Sequence, residues 1–152
     1  MGDRARLPTI GPLLWYQDAM GAIAWLERAF GFEAGMVVED GRGGVIHSEL
    51  WLLGGYVMVV GPPVGDGAVS PATFGGRSTQ SVHVQLQSGL DELCARARAA
   101  GAKIEREPAD QPYGDRVFTC RDVEDHPWSF GQTVEKLSVA QMEQATGHKI
   151  KV

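Results

Sequence analysis

The chain of 152 residues predicts an α+β fold made of two repeated βαβββ modules. Three observations predict it. A strand, a helix and three strands read in that order twice along the sequence. Each helical pattern stops at a glycine, Gly31 and Gly101, and a strand pattern follows each. Between the halves lies a stretch rich in Gly, Pro, Ser and Ala. The expected division is a first module over 7–62, a linker over 63–76, a second module over 77–134 and a tail over 135–152. A generic α+β sandwich without duplication is the competing fold.

Met1 to Leu7 reads as a loose leader. Pro8 to Gln17 reads as a strand, with Leu13, Leu14, Trp15 and Tyr16 as its apolar run and Pro8 and Pro12 suited to an edge. Asp18 can cap the next helix, where Ala22, Ile23, Leu26, Ala29 and Phe30 recur at helical spacing. Strands are expected over Ala34–Glu39, Val45–Leu53 and Tyr56–Val60, joined by the turns Asp40–Gly44 and Gly54-Gly55.

In the second half, Ser81 to Gln87 alternates: Val82, Val84 and Leu86 on one face, Ser81, His83, Gln85 and Gln87 on the other. Leu90, Leu93, Cys94, Ala97 and Ala100 form the stripe of a helix. Ile104 to Glu107 begins a strand. Val117 with Phe118 and Trp128 with Phe130 mark a final hairpin around an acidic turn, Arg121 to Pro127. Ser138 caps a short tail helix ending near Gly147.

Composition narrows the function classes. The net charge is −5 and Lys and Arg form no dense cluster, which argues against a nucleic-acid partner. The cysteines, Cys94 and Cys120, lack metal-motif spacing and suit a reducing compartment. No run reaches membrane-spanning length and the N-terminus lacks a signal-peptide core, so a cytoplasmic protein with no membrane partner is expected.

The phrases "LLWYQDAMGAIAWLERAFGFE", "HSELWLLGGYVMVV", "SVHVQLQSGLDELCARARAAGA" and "DRVFTCRDVEDHPWSFGQ" together resemble the vicinal oxygen chelate superfamily, which holds glyoxalases, bleomycin-resistance proteins and extradiol dioxygenases. In the final hairpin Val123 stands where Pro is common and Asp125 where Gly is common. The resemblance implies a sheet curled into a cup that holds a ligand or metal. It places Gly11, Leu13 and Trp15 toward the cup. It also implies metal-ligand positions at Gly11, Met58 (or Val60), Ser81 and Ser129. None is a usual ligand, so no cofactor is expected, and a divalent metal enters only under an enzymatic alternative.

By alternation His83 and Gln85 face the cup, His47, Glu49 and Trp51 share one strand face, and Ser129 lies opposite Trp128 and Phe130. His47 with Glu49 is the candidate acid/base pair. His47, Glu49 and His83 carry the right donors for a displaced metal site. Trp15 and Trp51 are candidate aromatic walls for a planar ligand, with Tyr113 and Arg116 closing the mouth. His126 is expected to be exposed, without a role.

The leading expectation is a bleomycin-resistance-like protein that binds a small, largely aromatic molecule without a metal. The alternatives are a metal-dependent lyase, isomerase or dioxygenase, and a metal-free lyase or epimerase with His47 as base. The resemblance also implies a homodimer.

Overall fold

The computed structural model describes residues 7–65 and 67–152. The expected leader, apart from Leu7, lies outside the described residues, as does linker residue Asp66. The first module contains β1 (Leu13–Trp15), α1 (Ala19–Phe30), β2 (Glu33–Glu39), β3 (Val45–Leu52) and β4 (Gly55–Val60). The second contains β5 (Val82–Leu86), α2 (Leu90–Ala99), β6 (Lys103–Asp110), β7 (Asp115–Arg121) and β8 (Pro127–Thr133), and α3 (Val139–Thr146) follows. The sheet orders are β1-β4-β3-β2 and β5-β8-β7-β6. In each, the first strand runs parallel to the last and the remaining pairs are antiparallel. The duplication read from the sequence is therefore also a duplication of topology.

Local chemistry sets the element ends. Asp18 caps α1 by accepting from the Gly21 N–H, and Gly31 ends it in the left-handed region at φ 82°. Ser138 and Gln141 form a reciprocal capping box on α3.

The core lies between the sheets and the helices, and α1 packs into both modules. Its last residue, Phe30, is 1% exposed. The Phe30 ring lies 5.1 Å from that of Trp128 and 4.8 Å from that of Phe130, both on β8. Trp25 Nε1 donates to Ala100 O, and Arg96 Nε to Ala29 O, so α1 and α2 are also joined by side-chain-to-backbone bonds.

The β7–β8 turn is the junction of the whole chain. Asp122, 2% exposed, accepts from Tyr16 Oη (2.6 Å), Trp128 Nε1 (2.9 Å) and the N–H groups of Glu124 and His126. The Glu124 carboxylate accepts from the N–H groups of Gln17 and Asp18, both at 2.9 Å, where β1 turns into α1. The carbonyl of Glu124 accepts from Ala72 N and Ser70 Oγ in the linker. The linker is thus pinned rather than loose, and Pro71–Phe74 forms a 3-10 turn.

His126 departs from expectation. It is 8% exposed and its Nε2 donates to Trp15 O, with the ring 4.4 Å from that of Tyr16. The cross-module contact withdraws a turn residue that composition alone places in solvent.

Both cysteines are buried and unpaired. Burial, and secondarily the Asp122 charge, push the Cys120 thiol up from 9.0 to about 12. Tyr16 is raised in the same direction, by burial first and Asp122 second. A folded value above the unfolded one means that the unfolded chain releases its proton first as pH rises. Stability from Cys120 is full below its unfolded value and falls between about pH 9 and about pH 12, while that from Tyr16 falls as pH rises above 10.0. Urea midpoints measured from pH 8 to pH 11 should decline, with a shallower decline in Cys120→Ala. An unchanged slope in that variant would remove Cys120 from the account.

Candidate functional site

Strand register decides which side chains can share a site. On the second sheet, Phe118 and Cys120 of β7 pair with Phe130 and Trp128 of β8, and all four are buried beneath the helices. The opposite parity carries Asp115, Val117 and Thr119, facing Thr133, Gly131 and Ser129. His83 of β5 pairs with Ser129 and Gln85 with Gly131. Three expected site residues, His83, Gln85 and Ser129, therefore share the open face.

They form one hydrogen-bonded row. Ser129 Oγ lies 3.1 Å from His83 Nδ1, and His83 Nε2 lies 3.0 Å from Gln85 Oε1. Gln85 Nε2 donates to Asp115 Oδ2 (3.4 Å) and Thr133 Oγ1 (3.2 Å). Asp115 can only accept, so it fixes the Gln85 amide with its oxygen toward the imidazole. His83 then carries its proton on Nε2 in the neutral form, and Ser129 donates to Nδ1. This tautomer follows from the hydrogen-bond network. Gly131 makes room for the row: a Cβ there would stand 2.7 Å from Gln85 Oε1 and 3.1 Å from His83 Cε1.

On the first sheet, His47, Glu49 and Trp51 share a face with Tyr56, Met58, Leu13 and Trp15. His47 Nε2 lies 3.4 Å from Glu49 Oε1, and Glu49 is buried. Trp51 stacks on Tyr56 with ring centroids 5.4 Å apart. The structure thus joins His47 to Glu49 and His83 to Ser129, on different sheets. Among the described residues, no group of three His, Cys, Asp or Glu side chains is placed to hold a metal.

Arg116 departs from the expected role at the mouth. It has the parity of Phe118 and Cys120, and its guanidinium bonds Asp91 in the first turn of α2 (3.0 Å) and Asp110 (2.8 Å). It braces the helix side of the sheet. Tyr113 is 44% exposed in the β6–β7 turn.

The metal that the family resemblance implies does not fit the side chains at its positions. A Cβ at Gly11 would fall on the Tyr56 ring, so no ligating side chain fits there as Tyr56 now lies. Met58 offers a thioether, Ser81 a hydroxyl, and the Ser129 hydroxyl is engaged by His83.

A large concavity takes in one of these positions, Ser81. A cleft of about 830 Å³ runs between the end of β1, the linker and the start of β8, and its wall includes Leu13, Trp15, Val69, Phe74, Arg77 and Arg121. Its volume suits a drug-sized molecule. Trp15 is fixed there by its Nε1 donating to Val64 O at 2.6 Å. A smaller cavity of about 240 Å³ is lined by Tyr56, Val82, His83 and Gln85. Of the expected residues, Leu13, Trp15 and Ser81 reach the large cleft, and His83 and Gln85 reach the small one. Phe74 was missed because it sits in a stretch whose composition reads only as linker, and Arg77 because it opens the second module ahead of its first periodic strand.

The sequence matches the description "Glyoxalase/Bleomycin resistance protein/Dioxygenase superfamily" over residues 7–130. The chain belongs to that superfamily. Among curated proteins it is 32% identical over 143 residues to Rv0887c, an uncharacterized protein of Mycobacterium tuberculosis, covering 91% of this chain and 82% of that one. Among solved structures it is similar to TioX from Micromonospora sp. ML1, at 34% identity and a TM-score of 0.65, covering 82% of this chain and 98% of that one. FosX from Listeria monocytogenes, a fosfomycin resistance protein solved with Mn(II) and sulfate, shares the fold at 14% identity and a TM-score of 0.62, covering 91% and 97%. No helix among the described residues of this superfamily member is long and apolar enough to cross a membrane.

Proposed function

We propose that the protein binds a small, largely aromatic organic molecule between its modules and does so without a metal, as in antibiotic sequestration. The single observation that carries this reading is the cleft of about 830 Å³ walled by Leu13, Trp15 and Phe74. A cleft of this size is the usual form of a small-molecule site, and its aromatic walls favour planar ligands. The poor fit of the family metal positions supports the metal-free part. We take the working unit to be a homodimer, a reading supported by Val38 and Ile46, large apolar side chains left exposed on the first sheet.

A second reading, metal-free proton transfer with His47 as base, draws on the His47–Glu49 contact of 3.4 Å. Both readings are tested by titrating planar antibiotics, bleomycin included, into desalted protein and following tryptophan fluorescence. Metal content is measured after incubation with Ni, Zn, Fe(II) and Mn. Saturable binding without turnover, weakened about tenfold or more by Phe74→Ala, is the expected result. Turnover lost in His47→Ala without metal would favour the second reading. A stoichiometric metal lost in His47→Ala or His83→Ala would overturn both.

A further inference from the structure

We propose that the large cleft selects organic anions, specifically planar aromatic carboxylic acids, with Arg77 as the group that receives the carboxylate. The inference rests on the cleft being the binding site.

The charged side chains lining the cleft, among the described residues, are Arg77 and Arg121, with the imidazole of His126 beside them; no carboxylate lines it. The chain as a whole carries a net charge of −5. A cleft whose charged side chains are all cationic favours an anion, even in a protein that is acidic overall.

Two of the three groups are already engaged. Arg121 donates from Nε to Glu105 Oε1 at 2.9 Å and from Nη1 to the carbonyls of Gly76 (2.9 Å) and Asp125 (3.0 Å). His126 Nε2 is committed to Trp15 O. Arg77 makes no ion pair among the described residues, and its guanidinium carbon sits over the Phe74 ring, 6.0 Å from the centroid. A guanidinium presents paired donors that match a carboxylate.

The backbone that carries Arg77 is held in place. Ser70 and Pro71 are buried, Ala72 N donates to Glu124 O, and Gly76 N donates to Pro71 O at 2.7 Å. Gly75 and Gly76 both adopt positive φ, 64° and 72°, where side chains are strained. This double-glycine exit from the 3-10 turn places Arg77 on the rim beside Phe74. An aromatic acid can lay its ring against Leu13, Trp15 and Phe74 while its carboxylate pairs with Arg77 at the edge.

The test compares 2-naphthoic acid with 2-naphthamide, which share a ring system and differ in charge. Binding is followed by tryptophan fluorescence and calorimetry on the full chain at low and physiological salt. Wild-type protein should prefer the acid about tenfold, equivalent to about 1.4 kcal/mol, and the preference should shrink with added salt. Arg77→Gln should abolish the preference, weakening the acid about tenfold more than the amide. Arg42→Gln, in the β2–β3 turn away from the cleft, should behave as wild type. Equal binding of acid and amide by wild-type protein, or a preference that survives Arg77→Gln, would overturn the anion selectivity and leave the cleft reading standing. Binding of neither compound would sink the cleft reading along with it.

Discussion

Asp122→Ala is expected to lower folding stability by about 4 kcal/mol, within the range for removing one partner of a buried charged network. Four donors converge on this carboxylate: the Tyr16 hydroxyl, the Trp128 indole and two N–H groups of its own turn. Tyr16 and Trp128 are almost fully buried, so water cannot readily replace the lost acceptor. Asp122→Asn should cost less. The Tyr16 hydroxyl can rotate to accept from an amide, whereas the Trp128 N–H can only donate. Tyr16→Phe combined with Asp122→Ala should be far from additive, because both remove the same bond. Urea unfolding followed by tryptophan fluorescence measures the wild type, the three single variants and the double variant. A loss below about 1.5 kcal/mol for Asp122→Ala would mean that the turn relaxes to re-pair its donors, and the junction would not be the anchor described above.

Phe30→Ala should cost about 3–5 kcal/mol, the usual range for truncating a buried phenylalanine. Its particular consequence lies between the modules. The side chain comes from α1 of the first module, yet it packs on Trp128 and Phe130 of the second as well as on Trp25 of its own helix. Removing it opens a cavity at the interface rather than inside one module. Thermal unfolding by calorimetry should show a single transition at lower temperature, because the Asp122 and Glu124 bonds still couple the halves. Two resolved transitions would show that the modules unfold separately once this ring is gone. Phe30→Leu should recover most of the loss, as shape-tolerant apolar replacements do.

The repeat was legible because its punctuation is local. Gly31 and the Asp18 cap act within one turn of chain, and alternation over Ser81–Gln87 reports its own two faces. The sharing of a face by His83, Gln85 and Ser129 was legible for the same reason. The fate of Arg116 was not. Its parity is counted from Phe118 and Cys120, but reading it as a helix brace requires knowing that Asp91 lies across from it. His126 was misread because a turn looks exposed until another module is laid against it. Phe74 and Arg77 were invisible as site residues because neither lies on an element with a period. The linker's position is set by hydrogen bonds to Glu124, more than fifty residues away in sequence for Ser70.

The Tyr56 ring over Gly11 has a consequence for redesign. Histidine at position 11 alone would collide with the ring, while a small residue at 56 alone would leave a void and supply no donor. Each single step is worse than its starting point, and only the pair opens the position. Placing a metal ligand at position 11 is therefore an epistatic problem, in which the order of substitutions matters as much as their identity.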